Sequence, residues 1–192
     1  MTRDRIVAAL LIVIGAVGFF GSAELVIERV LQAGDANAQL NCDFSLIVQC
    51  GKNLGSWQGS VFGFPNPILG LGGFVAPIAV GVGTLAGAHY ARWFWIAFNT
   101  GMLGAVAFVG WLIAQSIFSL GTLCPWCMLV WSVTIPGFLI TTFRNLAAGI
   151  YGTRAEPAGR HLLAWTAPIT VIVFGTIALI AQLRLDVLGH LT

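Results

Sequence analysis

"LGTLCPWCMLVW", residues 120–131, decides how this chain is read: a short Gly- and Thr-containing stretch runs into Cys124-Pro125-Trp126-Cys127 and then into apolar sequence. Pro125 suits the first turn of a helix, where the missing backbone N–H is no loss and the fixed φ is already helical. The helix it opens runs to Phe143, about the 20 residues that cross a bilayer, with Pro136 a point of kinking. Cysteines in apolar sequence usually serve as small hydrophobes. Two of them, two residues apart at the mouth of a spanning helix, need another reason.

Outward from this stretch, four more segments reach spanning length: residues 6–30, whose last turns through Glu24, Glu28 and Arg29 are amphipathic, and residues 67–88, 93–118 and 162–183. Pro67, like Pro125, stands at a first helical turn. A mean hydropathy of +0.91 and only 8% charged residues, against about 25% in soluble domains, place the 192 residues in lipid as one all-α, polytopic domain. The net charge of +2 is too small and too scattered for a nucleic-acid partner. Gly15, Gly18 and Gly21 in "GAVGFFG", and Gly83-x-x-x-Gly87, offer faces for close helix packing. "ANA" at 36–38 resembles a signal-peptide cleavage site, but the apolar run before it exceeds a usual signal core, so the first helix is expected to be retained.

Basic residues orient the spans. Arg3, Arg5, Arg92, Arg144, Arg154 and Arg160 fall on one side and Arg29, Lys52 and Arg184 on the other, which predicts a cytoplasmic N-terminus and an outer C-terminus. The long segment 31–66 then lies outside. Within it Leu54, Trp57, Val61 and Phe62 stand at helix-like spacing, fitting either a short interfacial helix or a Gly-rich loop with interfacial aromatics. Cys42 and Cys50 lie in this loop and Cys124 and Cys127 at the outer mouth of a helix, so all four cysteines share the oxidising face.

With Pro125 opening the helix, Cys124 falls at the N-cap and Cys127 in the first turn. The free N–H groups and positive dipole end there stabilise a thiolate, and the short spacing suits a readily exchanged disulfide. Dithiol redox chemistry therefore ranks ahead of two structural bridges. A four-cysteine zinc site ranks third, because the seven-residue gap between Cys42 and Cys50 is wide for a metal knuckle. A loop pair and a helix pair suggest a relay from a soluble dithiol to an acceptor. With no haem, flavin or nucleotide motif in view, a quinone dissolved in the bilayer, reached by Cys127, is the simplest acceptor.

The chain resembles the vitamin K epoxide reductase family in its bacterial branch. The resemblance rests on Cys42-Asp43 followed by Cys50, then Ser56, Asn66 ahead of Pro67, and Cys124-x-x-Cys127, and covers roughly the first four spanning helices. It implies a four-helix bundle enclosing a quinone (menaquinone, ubiquinone or vitamin K), capped by the outer loop, plus a fifth helix. It also implies a place in the bacterial inner membrane and reoxidation of a thioredoxin-like, DsbA-like partner. Carried over, Cys127 faces the quinone, Cys124 exchanges with Cys50, and Cys42 meets the partner. Asn66 donates to a quinone oxygen or caps the helix, Ser56 lines the pocket or caps the interfacial helix, and Asp43 tempers charge at Cys42 or is a solvated loop carboxylate. Trp131 stands where family members acting on vitamin K carry Tyr, which argues against epoxide reduction. A thioredoxin-like domain fused in some relatives has no counterpart before Thr192, so a separate partner is expected.

Two readings from other classes compete. A transporter would need paired charges inside the membrane, whereas Glu24 and Glu28 sit near its outer boundary; Asn99 and Gln115 read as interhelical hydrogen bonds. A scaffold stapled by two bridges would hold disulfides indifferent to added quinone.

Overall fold

A computed structural model describes residues 2–35, 40–187 and 189, so the "ANA" segment lies outside the described residues. Among the described residues the chain is all-α, with five helices long and apolar enough to cross a membrane. They are α1 (Thr2–Gly34), α3 (Pro67–Leu85), α4 (Arg92–Ala114), α5 (Pro125–Ala147) and α7 (Thr166–Leu185); two short helices, α2 (Gly51–Gly55) and α6 (Glu156–Ala164), join them.

Each boundary that departs from expectation has a local cause. At 33 residues α1 is about 50 Å long, well beyond a hydrocarbon core of about 30 Å, because good helix formers continue without Pro through Gln32. Its last turns therefore rise into the loop layer. Helix α3 ends at Leu85 rather than residue 88: the Ala88 N–H bonds Gly83 O at 2.9 Å and the Gly87 N–H bonds Thr84 O at 3.2 Å, a closing turn that Gly87 permits by adopting φ +90°. Gly87 is thus a helix stop, not part of a packing face. Helix α4 passes into a π-helical turn, Gln115–Leu120, where the sequence suggested plain helix to Phe118. The expected fifth span divides into α6 and α7, since Pro168 has no N–H to offer Ala164 and a continuous helix fails there. Pro136 sits inside α5, which continues through it.

Helices α1, α3, α4 and α5 form the bundle. Gly15 and Gly18 let α1 press on α3: a Cβ on Gly15 would lie 2.8 Å from Phe74 O, one on Gly18 would enter the Phe74 ring, and one on Gly81 would lie 2.6 Å from Ala8 O. At the end away from the cysteines, Leu11 and Ile14 of α1 pack with Val80, Trp95 and Ile140. Asn99 Oδ1 accepts the Thr142 hydroxyl at 3.0 Å, the interhelical bond expected of that residue. Ala181 of α7 joins Val109, Ile113, Trp131 and Ile135, so the fifth spanning helix packs on the α4–α5 seam from outside the bundle.

Candidate active site

The segment between α1 and α3 folds into a cap over the bundle, held by backbone pairing. Val48 forms an isolated parallel bridge with Leu123: the Leu123 N–H donates to Ile47 O at 2.7 Å and the Gln49 N–H to Leu123 O at 3.0 Å. This bridge sets Cys50 beside Cys124, each one residue beyond a bonded position. A polar knot supports it from below, where Asn53 Nδ2 donates to Thr122 Oγ1 at 2.9 Å and the Ser116 hydroxyl of the π turn bonds Thr122 O. Asp43 closes the loop: its Oδ1 accepts the N–H of Cys50 at 2.8 Å and that of Gly51 at 3.2 Å. The carboxylate expected either to temper Cys42 or to sit in solvent is instead an anchor for the Cys50 end of the loop.

Cys42 and Cys50 are bonded to each other, with Cα atoms 5.7 Å apart. Cys124 and Cys127 are free thiols. Cys124 is the N-cap of α5 as expected, its sulfur accepting the Cys127 N–H at 3.3 Å, and it lies 3.1 Å from Cys50 Sγ. Cys42, Cys50 and Cys124 are 2%, 0% and 0% exposed, packed with Leu25, Leu40 and Leu54 and flanked by Trp126 and Val130. One continuous sulfur array thus joins loop to helix, sealed from water.

Cys127 turns the other way, into a partly open cavity of about 640 Å³ lined by α1, α3, α4, α5 and the cap. Its walls are largely apolar, with Phe74, Phe98, Met102, Phe108, Val130 and Trp131 among them, while Asn53, Gln58, Asn66, Gln115 and Ser116 supply polar groups from the cap and the π turn. Asn66 lines the cavity but is already engaged: its Nδ2 donates to Gln58 O at 2.6 Å and its Oδ1 accepts the Val61 N–H at 3.1 Å. Although it stands at the N-cap of α3, its side chain bonds no helix N–H; it ties down the cap, and one amide N–H stays available to the cavity. Ser56 is not a lining residue. Its hydroxyl donates to Asn53 O and accepts the Gly59 N–H, capping the 3₁₀ turn Trp57–Ser60.

Cap residues expected to share one apolar face are split by that turn. Leu54 is buried, whereas Trp57 and Phe62 are exposed and meet Trp111 and Phe108 of α4, ring centroids 5.9 and 5.6 Å apart. Two cavity glutamines escaped the sequence reading as site residues. Gln115, expected to bond between helices, accepts from Gln58 Nε2 of the cap at 3.3 Å, and Gln58 Oε1 is buried without a partner. A 3.6-residue pattern does not disclose the π turn that aims Gln115 inward.

The family model described as "Vitamin K epoxide reductase family" matches residues 9–142, from α1 through most of α5. The chain belongs to the vitamin K epoxide reductase family. Members are oxidoreductases that use quinone-type cofactors and act with thioredoxin-like partners. No curated protein matches the chain. The matched span contains all four cysteines, the cap and the cavity, leaving α6 and α7 outside it. A quinone-type group fits what is present: a largely apolar cleft of suitable size, a thiol on its wall, a spare Asn66 N–H and an unpartnered Gln58 oxygen.

Proposed function

We propose that this chain is a quinone-linked, disulfide-generating oxidoreductase of the bacterial inner membrane, with its cysteines on the outer face and a separate thioredoxin-like, DsbA-like protein as its electron donor. The observation that carries the reading is the 3.1 Å approach of Cys50 Sγ to Cys124 Sγ, with Cys127 on the cavity wall three residues further on. Exchange needs a thiolate aimed at one particular sulfur, and this contact supplies the aim between the two pairs.

A partner thiolate attacks Cys42, and the loop dithiol so formed reduces a Cys124–Cys127 disulfide through Cys50. Bound quinone supplies a two-electron, two-proton acceptor; menaquinone and ubiquinone both suit the cavity. The chain's own groups do the rest. Asn66 and Gln58 hold the polar end, the aromatic walls cover the ring faces, and Cys127 presents its sulfur to the cavity. Trp131, 5% exposed on the same wall, gives a flat apolar surface without a phenol oxygen, which favours dithiol oxidation over epoxide reduction.

The test is anaerobic thiol counting on fully reduced purified protein, before and after a menaquinone or ubiquinone analogue is added. Loss of two thiols or four in step with quinol formation is expected. No loss with either quinone would return the cysteines to a structural role.

A further inference from the structure

Glu28 is 1% exposed, on the stretch of α1 that rises into the cap layer. Its neighbours along that stripe all address the loop disulfide. Leu25, one turn earlier, packs in the cluster that holds Cys42, Cys50 and Cys124. Gln32, one turn later, donates to Gly51 O, beside Cys50, at 2.9 Å. Glu28 itself accepts the N–H of Asn41, beside Cys42, at 3.1 Å through Oε1. Its Oε2 is buried and has no partner. Charged groups on the surrounding elements are turned elsewhere: Arg29 donates to Gln32, Asp43 Oδ1 accepts from Cys50 and Gly51, and Lys52 is exposed. Glu28 Oε2 is thus a buried acceptor beside the loop disulfide with no donor facing it.

Resting on the relay proposed above, we propose that Glu28 is the proton acceptor for the loop thiols. After Cys50 has bonded to Cys124, the Cys42 thiol passes its proton to the Glu28 carboxylate. The Cys42 thiolate then attacks Cys50 Sγ. The Cys42–Cys50 bond forms, the Cys50–Cys124 bond breaks, and Cys124 leaves as a thiolate carrying the electron pair. Cys42 and Cys50 end oxidised, Cys124 reduced, and the proton resides on Glu28. The structure holds that end state in its sulfurs, with Cys42–Cys50 closed and Cys124 free at 3.1 Å. Opening of the loop for the next partner returns the proton to the adjoining water. Asp43, the other carboxylate next to Cys42, is already engaged by the Cys50 and Gly51 N–H groups.

The internal step is measured without quinone or partner. Diamide-oxidised protein is mixed with dithiothreitol, quenched by acid and alkylation, and the transfer from loop dithiol to Cys124–Cys127 followed by mass spectrometry. Glu28→Gln keeps an acceptor for the Asn41 N–H but takes no proton, and should slow transfer on the order of 10²-fold with thermal unfolding little changed. Redox-difference infrared spectra of the wild-type chain should gain a protonated-carboxyl C=O band as the loop disulfide closes. A Glu28→Gln rate equal to wild type, or no carboxyl band in wild type, overturns the assignment. Absence of internal transfer in the wild type removes the relay itself, a different result from transfer that ignores Glu28.

Discussion

The carboxylate of Asp43 holds the backbone N–H of Cys50 at 2.8 Å, across the seven-residue loop that the Cys42–Cys50 disulfide closes. The same oxygen holds Gly51, so one side chain satisfies two of the free N–H groups at the start of α2 and fixes where Cys50 meets Cys124. Asp43→Ala should therefore impair exchange more than stability. Losing charge-assisted bonds worth about 1.5–3 kcal/mol at a partly exposed site should lower the unfolding temperature modestly. Transfer from loop to helix cysteines should slow by tenfold or more, as the sulfur loses its aim. Asp43→Asn, which keeps an acceptor, should recover most of the rate in the same quenched alkylation assay.

Asn66 ties down the cap and, on the proposed function, also offers a donor to quinone. Asn66→Ala leaves Gln58 O and the Val61 N–H unpaired and should destabilise the protein by about 1–3 kcal/mol. Asn66→Asp keeps the acceptor for Val61 but sets a carboxylate oxygen against Gln58 O and removes both donors, so it should cost at least as much stability as Ala and weaken quinone binding further. Detergent thermal unfolding beside quinone-dependent KM makes the comparison. Unaltered quinone kinetics in a folded Asn66→Asp protein would leave Asn66 a cap anchor alone.

Helix packing is open to a cleaner test. The Cβ of Gly81→Ala would lie 2.6 Å from the backbone oxygen of Ala8, and backbone cannot yield as a flexible side chain does. Overpacking of this kind costs about 1–3 kcal/mol, visible as a lower unfolding temperature. Gly72→Ala, with open space around it, is the control and should be neutral.

Orientation is best read at exposed positions, since Cys42 and Cys124 are too buried to report it. Phe44 is 71% exposed in the disulfide loop, and Arg154 is exposed between α5 and α6. With the four native cysteines replaced, Phe44→Cys should react with an impermeant maleimide in intact cells and Arg154→Cys should not. Reaction at Arg154→Cys would invert the topology.

The spans and the helix-mouth cysteines were legible because their signals are local. Apolar length, Pro67 and Pro125 at first turns, and Cys124 at an N-cap follow from neighbours a few residues apart. The cap was not legible, because its geometry depends on partners far along the chain. Asn53 meets Thr122 and Gln58 meets Gln115, pairings set by the bundle and by a π turn that sequence periodicity does not announce. Glu28 shows the same limit. On a helical wheel it belongs to a charged helix end, and only the return of the loop over α1 buries it.

Relay order is the sharpest consequence. Cys50 and not Cys42 lies against Cys124, so a partner that attacks Cys42 frees the one sulfur already aimed at the helix pair. Cys50→Ala removes that resolving thiol and leaves Cys42 as a free thiol; given the partner as its thionitrobenzoate mixed disulfide, Cys42 should displace thionitrobenzoate and the partner–Cys42 bond should accumulate. Cys42→Ala should leave Cys50 bonded to Cys124, with no partner adduct. Cys127→Ser should abolish quinone reduction, since a hydroxyl neither forms the bridge nor attacks at neutral pH. Non-reducing electrophoresis and mass spectrometry with a single-cysteine thioredoxin-like partner read the two loop variants, and quinol formation reads Cys127→Ser. Adducts that map to Cys50 in Cys42→Ala, with none at Cys42 in Cys50→Ala, would reverse the order of the two loop cysteines while leaving the 3.1 Å contact without a role in exchange.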